Sequence, residues 1–151
     1  MSIPVLAPLP GKVIALSEVP DQVFADQIVG SGVALDPDRT RGTLTVTAPI
    51  SGKILKLHPH AFVILGHGVG VLVHLGIDTV KLKGEGFELL ATEGDTVEAG
   101  APIVTFDPTE IAATGYSVIC PVVVMDSAKN SVDTDTTSTT VESGALLFDS
   151  P

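Results

Sequence analysis

Tryptophan is absent from this chain of 151 residues, tyrosine occurs once, and aromatic side chains make up only 4%. Cysteine also occurs once, at Cys120, so no internal disulfide can form, which fits a reducing compartment. The flanking Ile119 and Pro121 predict a buried structural thiol rather than a reactive one. Basic residues are scarce: 8 Lys and Arg stand against 18 Asp and Glu, for a formal net charge of -10. That balance argues against nucleic acid, whose phosphates need basic side chains. It suits a basic protein partner met by fast electrostatic encounter, although solubility alone is the plainer reading. No window reaches the roughly 18 apolar residues of a membrane span, so no stable membrane insertion is expected. Met1-Ser2-Ile3-Pro4 carries neither the basic region nor the apolar run of a signal peptide, and the expected location is the cytoplasm.

What the chain does contain is β-forming. Hydrophobic residues make up 44%, many of them small or β-branched, among 15 glycines and 11 prolines. This composition predicts short strands joined by tight turns. Two internal repeats sharpen the reading. Ala7-Pro8-Leu9-Pro10-Gly11-Lys12-Val13-Ile14 recurs 41 residues on as Ala48-Pro49-Ile50-Ser51-Gly52-Lys53-Ile54-Leu55. Thr96-Val97-Glu98-Ala99-Gly100-Ala101 recurs 44 residues on as Thr140-Val141-Glu142-Ser143-Gly144-Ala145. The first motif reads as a turn entering a strand, the second as strand, Gly turn, strand. Two copies are too few for a solenoid and predict a duplicated β-unit whose halves pack on each other.

Helical signal is confined to short turns. One falls in Val19–Asp26, the other in Asp107–Ala113, with Asp107 as N-cap and Pro108 at the first helical position. Ser131–Thr140 is low in complexity and reads as an exposed loop or a weak edge strand. The expected architecture is all-β, a sandwich or barrel with at most short helical turns. Residues 1–151 form a single domain in this reading, because no linker is visible.

All four histidines, His58, His60, His67 and His74, fall within seventeen residues. One isolated histidine is usually a satisfied core or surface group, but four beside an apolar strand point to a reaction centre. His67, between Gly66 and Gly68, is the exception and reads as an exposed turn residue. In an extended segment His58 and His60 share a face, and along Val71–Leu75 the residues Leu72 and His74 take the face opposite Val71, Val73 and Leu75. If the two segments pair, His60 and His74 face each other. Such a pair supports two chemistries. In one, a neutral imidazole attacks a phosphoryl group while the other donates a hydrogen bond to its oxygens. In the other, His58-Pro59-His60 (HxH) and His74 with Asp78 (HxxxD) hold zinc in a hydrolase.

The segment Val73-His74-Leu75-Gly76-Ile77-Asp78-Thr79-Val80-Lys81-Leu82-Lys83-Gly84-Glu85-Gly86-Phe87 resembles the phosphorylation-site signature of the glucose-type enzyme IIA family of the bacterial sugar phosphotransferase system. His60-Ala61-Phe62 resembles its second active-site histidine element, and Pro20–Gly30 its partner-binding segment. Glu93–Val97 and Cys120–Val123 also match, so the resemblance spans about residues 4 to 149. It implies an antiparallel β-sandwich of the duplicated hybrid-motif type. It implies that His74 takes a phosphoryl group on Nε2 from the phosphocarrier HPr and passes it to a cysteine of an enzyme IIB domain. No cofactor is implied beyond that phosphoryl group. His60 would hold the phosphoryl oxygens, and the Gly76 carbonyl would orient His74 through Nδ1. Asp21 and Asp78 would meet basic residues of HPr at the rim. Val23, Phe24, Ile28, Val29 and Leu72 would form an exposed apolar docking patch. Taken from the residues alone, Phe24, Ile28 and Val29 at helical spacing read as core, and Asp21 as a turn former.

The chain departs from the family in three places. His58 stands where relatives often carry a Thr bonded to the second histidine; it either holds His60 or adds charge to the phosphate site. The loop between the histidine elements is short and Gly-rich. The long amphipathic N-terminal tail of some relatives is not expected here, which weakens any transfer of their regulatory roles. The zinc peptidases that share a related β-fold place HxxxD before HxH, the reverse of the order here, and no metal is expected beyond an adventitious zinc bridging His60 and His74. Glu93–Gly100 also resembles the Gly-Asp turn of biotinyl and lipoyl domains, but Lys81 and Lys83, the nearby lysines, sit within the phosphorylation-site signature.

Overall fold

Each Pro-x-x-Gly-Lys turn delivers its Gly-Lys as the first two residues of a strand, and the two copies are built alike. The computed structural model describes residues 3–151. Its strands are β1 (Pro4–Leu6), β2 (Gly11–Ala15), β3 (Gly30–Pro37), β4 (Leu44–Thr47), β5 (Gly52–His58), β6 (Ala61–Gly66) and β7 (Val69–His74). They continue with β8 (Phe87–Leu89), β9 (Thr96–Val97), β10 (Pro102–Phe106), β11 (Cys120–Met125), β12 (Thr140–Val141) and β13 (Leu146–Asp149). The helices α1 (Gln22–Ala25) and α2 (Pro108–Ala113) are each short.

The duplication is visible bond by bond. Gly11 and Lys12 of β2 pair with Val141 and Thr140 of β12, and Gly52 and Lys53 of β5 pair with Val97 and Thr96 of β9. In the same relation, β1 pairs with β13 and β4 with β10. Where the halves meet, the bonds are reciprocal. The Leu6 N–H donates to the Pro49 carbonyl at 2.9 Å, and the Thr47 N–H to the Pro8 carbonyl at 2.8 Å. Gly100 and Gly144 take positive φ (92° and 85°) at equivalent turns, the left-handed region that glycine enters without cost. The sequence repeat thus encodes a structural one.

The strands form an eight-stranded antiparallel sheet in the order β12-β2-β3-β11-β7-β6-β5-β9, a three-stranded sheet β4-β10-β8 and the pair β1-β13. They stack as a β-sandwich. The large sheet ends at β12 and β9 without closing, so the barrel form of the expectation does not hold. Strand parity gives this sheet two apolar faces. Val33, Leu35, Val71, Val73, Val122 and Val124 join the main core with Val46, Ile103, Phe106 and Leu147. The alternate residues Ala34, Leu72 and Val123 belong to a smaller cluster completed by Leu16, Val19, Phe24 and Ile77. The segment around α1 therefore covers the outer face next to the end of β7.

Asp107 caps α2, accepting the Thr109 N–H at 2.9 Å, with Pro108 at the start. Residues 131–139 form a loop whose Val132 is buried, and the expected edge strand is limited to β12. Cys120 is fully buried and free, its thiol pushed up to about 12 by burial. Phe62, 1% exposed, lies in the main core. Phe62→Ala is expected to cost about 3–5 kcal/mol in denaturant unfolding, the usual toll of emptying an aromatic site. Arg41→Ala, which breaks an exposed pair with Glu142 at 2.7 Å, should leave the same midpoint unmoved.

Candidate active site

β7 ends at His74, and the residues that follow turn back upon it. The His74 Nδ1 lies 2.5 Å from the Gly76 carbonyl oxygen. A carbonyl only accepts, so Nδ1 carries the proton and Nε2 keeps its lone pair. Gly76 has φ +82°, and a Cβ there would stand 2.6 Å from Thr79 Cγ2 and 2.8 Å from the Ser117 carbonyl oxygen. Only glycine fits on both counts. The Ile77 N–H donates to the Ser117 carbonyl at 2.9 Å. Thr79 is fully buried, and its hydroxyl donates to the Leu75 carbonyl at 2.7 Å. The sequence reading singled out neither Thr79 nor Ser117. Thr79 offered only a polar residue beside Asp78, and Ser117 acts through its backbone, which leaves no side-chain signal.

His60 reaches His74 by a turn and not by a strand. β5 ends at His58, Pro59 and His60 form the tip, and β6 begins at Ala61, which pairs with both His58 and His74. The Leu75 N–H donates to the His60 carbonyl at 2.7 Å, which extends the β6–β7 ladder past His74. The expected common strand face for His58 and His60 is thus corrected: Pro59 bends the chain between them. Their rings still stack, 5.8 Å apart at 24°. The expected pairing of His60 with His74 is present, the rings lying 5.3 Å apart at 73°. His67 is exposed at the β6–β7 turn, where it and Gly68 both take positive φ, as a two-residue hairpin of mirror-image type requires.

At the rim, Phe24 departs from the exposed patch that the resemblance implies and takes the core place that the residues alone suggest. Phe24 is 7% exposed and its ring lies 5.3 Å from that of His74, so it forms the inner wall of the site rather than part of an exposed patch. The reason is the brevity of α1. Asp21 starts it, its carboxylate accepting the Val23 N–H at 2.9 Å. The helix ends after Ala25 in a Schellman motif: the Ile28 N–H donates to the Val23 carbonyl and the Gln27 N–H to the Phe24 carbonyl, both at 3.0 Å. Gln27 supplies the left-handed residue (φ 57°) and is held by two hydrogen bonds to Asn130. The chain reversal sends Phe24 inward and Ile28 outward, where helical spacing would have put them together. Val23 (44%) and Ile28 (66%) are exposed, while Val29 and Leu72 are half-buried beside them. Asp78 is exposed, with φ 62°.

Burial, then the neighbouring His74 and His58, press the His60 imidazole down to about 4. Burial also lowers His74, against the upward pull of the Gly76 carbonyl, Asp21 and Asp78. Both rings are therefore neutral at neutral pH. Among the described residues, no three His, Cys, Asp or Glu side chains converge as a metal-ligating group.

Two expectations follow from this geometry. Gly76→Ala should destabilise the fold by more than about 1 kcal/mol, because alanine must accept a positive φ and a clash together. Between pH 6.5 and pH 4 the unfolded chain binds more protons at His60 than the folded one does. Stability contributed by the neutral ring is thus full above pH 6.5 and declines as pH falls to 4, by a small amount because water screens this partly exposed group. NMR titration should place the His60 midpoint near 4 and that of His74 below the ordinary imidazole value of 6.5.

No helix among the described residues is long and apolar enough to cross a membrane. The family model described as "phosphoenolpyruvate-dependent sugar phosphotransferase system, EIIA 1" matches residues 3–130. The chain is 41% identical over 126 residues to the "PTS system glucose-specific EIIA component" of Bacillus cereus, covering 82% of this chain and 74% of that protein. The protein of the same name from Bacillus anthracis matches equally. The solved glucose permease IIA from Mycoplasma capricolum superposes with a TM-score of 0.82 at 32% identity, over 99% of this chain and 96% of that one. By sequence and by fold, this chain belongs to the EIIA 1 family of the phosphoenolpyruvate-dependent sugar phosphotransferase system.

Proposed function

We propose that the protein is a phosphocarrier in which His74 takes a phosphoryl group from phospho-HPr and passes it to an enzyme IIB cysteine. The observation that carries this is the His74–His60 pair, with Nδ1 of His74 committed to the Gly76 carbonyl and Nε2 left as the free nucleophilic atom. Neutral imidazole is the nucleophilic form, and burial keeps His74 neutral. In the first step a phosphorus–Nε2 bond forms as the bond to the donor breaks. The ring becomes a phosphorylated imidazolium whose Nδ1–H charge is shared with the Gly76 carbonyl, so no proton need move. In the second step a thiolate of IIB attacks phosphorus, the P–N bond breaks, and His74 returns to its starting tautomer.

His60 is assigned the phosphoryl oxygens, to which its neutral ring donates one N–H. His58, whose ring stacks 5.8 Å from that of His60, is assigned to support it. Asp21 and Asp78, with the net charge of -10, attract a basic face of HPr. Val23 and Ile28, backed by Val29 and Leu72, supply the apolar contact, and Phe24 supports His74 from within. Transfer from a soluble donor to a membrane-bound sugar permease supports a cytoplasmic location, which the lone cysteine also suits.

Incubation with phosphoenolpyruvate, enzyme I and HPr, followed by intact mass, tests the proposal. Wild type should gain one acid-labile phosphoryl group and His74→Ala none. His60→Ala should accept the group but pass it to IIB at least about a hundredfold more slowly, the scale of a lost oxyanion donor. A wild-type protein that gains nothing from phospho-HPr of its own organism would end the carrier reading.

A further inference from the structure

The carbonyl that fixes the His74 tautomer belongs to the most flexible residue type, yet it is held still from both sides. Two peptide units flank the Gly76 α-carbon. The Leu75–Gly76 unit is tied through the Leu75 carbonyl, which accepts the Thr79 hydroxyl at 2.7 Å. The Gly76–Ile77 unit is tied through the Ile77 N–H, which donates to the Ser117 carbonyl at 2.9 Å. That second unit carries the Gly76 oxygen facing His74 Nδ1. With both planes hydrogen-bonded, the two torsions of Gly76 between them are restrained, and φ stands at +82°.

Thr79 is the side chain in this arrangement. It is 0% exposed, its hydroxyl is used once, and its methyl lies 2.6 Å from where a Gly76 Cβ would be, so it packs against the bare α-carbon. Thr79 opens the 3-10 turn Thr79–Leu82 and is buried there. Its hydroxyl and its methyl both bear on the Leu75–Gly76 corner.

We propose that Thr79 is a positioning residue for His74: by clamping Leu75 and Gly76 it aims the Gly76 carbonyl at Nδ1 and so keeps the attacking lone pair on Nε2. The consequence for phosphoryl transfer rests on the carrier reading above; the effect on the tautomer does not. Loss of the hydroxyl leaves the Leu75 carbonyl without its partner and lets the corner rotate. Loss of the methyl alone keeps the clamp.

The test uses Thr79→Val, which keeps the shape and loses the hydroxyl, and Thr79→Ser, which keeps the hydroxyl. The imidazole nitrogen shifts of His74 in the unphosphorylated protein report the tautomer directly. In wild type and Thr79→Ser the Nδ1–H form should dominate. In Thr79→Val it should lose roughly tenfold in its ratio to the Nε2–H form, the scale of one neutral hydrogen bond. The rate of uptake from saturating phospho-HPr should fall in step while KM for that donor stays level. A folded Thr79→Val with an unchanged tautomer ratio overturns the proposal. If Thr79→Val does not fold, Thr79→Ser decides: a retained Nδ1–H form supports the clamp, and a lost one overturns it. Failure of wild type to accept phosphate would sink the carrier reading while leaving the tautomer result to stand on its own.

Discussion

A proton on one nitrogen of one ring organises this site. An imidazole offers a single lone pair when neutral, and which nitrogen holds it depends on what the other nitrogen meets. Here the Gly76 carbonyl meets Nδ1 of His74. Such a contact within two residues demands a backbone that doubles back, which a positive φ supplies and which no side chain at position 76 would permit. The strand must therefore end at His74, and the corner after it must be tied to its surroundings by Thr79 and by the Ser117 carbonyl.

The sandwich provides those surroundings. Because the large sheet is apolar on both faces, the end of β7 is anchored by Val71, Val73 and Leu75 on the core side. The other side is covered by a small cluster that includes Phe24 and Ile77. His74 projects toward that cluster, half-buried and beside the Phe24 ring. The β5–β6 turn brings His60 over it from the neighbouring strand. Partial burial does two things at once. It keeps both rings neutral near neutral pH, and it leaves one edge open to a partner.

Much of this is legible in the amino-acid sequence. The repeats at offsets of 41 and 44 residues predicted the paired β-units, and the equivalent pairings of Gly11 with Val141 and Gly52 with Val97 follow them. Strand parity put Leu72 and His74 on the face opposite Val73, and chemistry-bearing residues crowded into one stretch drew attention to the right region. Two kinds of information were not legible. The residues alone put Phe24 in the core, but together with Ile28; their parting depends on where a four-residue helix stops, and the Schellman ending at Gln27 carries asparagine-bonded glutamine where glycine is usual. The meeting of His58 with His60 depends on a hairpin tip at Pro59, where extended spacing gave the right proximity for the wrong reason. Backbone acceptors such as Ser117 are set by tertiary packing and leave no mark in residue type.

The central claim is that phosphate is carried on Nε2 of His74 while Nδ1 stays bonded to the Gly76 carbonyl. Nitrogen-15 and phosphorus-31 NMR of the phosphorylated protein, with imidazole nitrogens labelled, tests it most directly. The account expects a one-bond phosphorus–nitrogen coupling at the ring nitrogen assigned as Nε2 of His74, with a protonated and slowly exchanging Nδ1. A coupling at Nδ1, or at any ring other than His74, would contradict it.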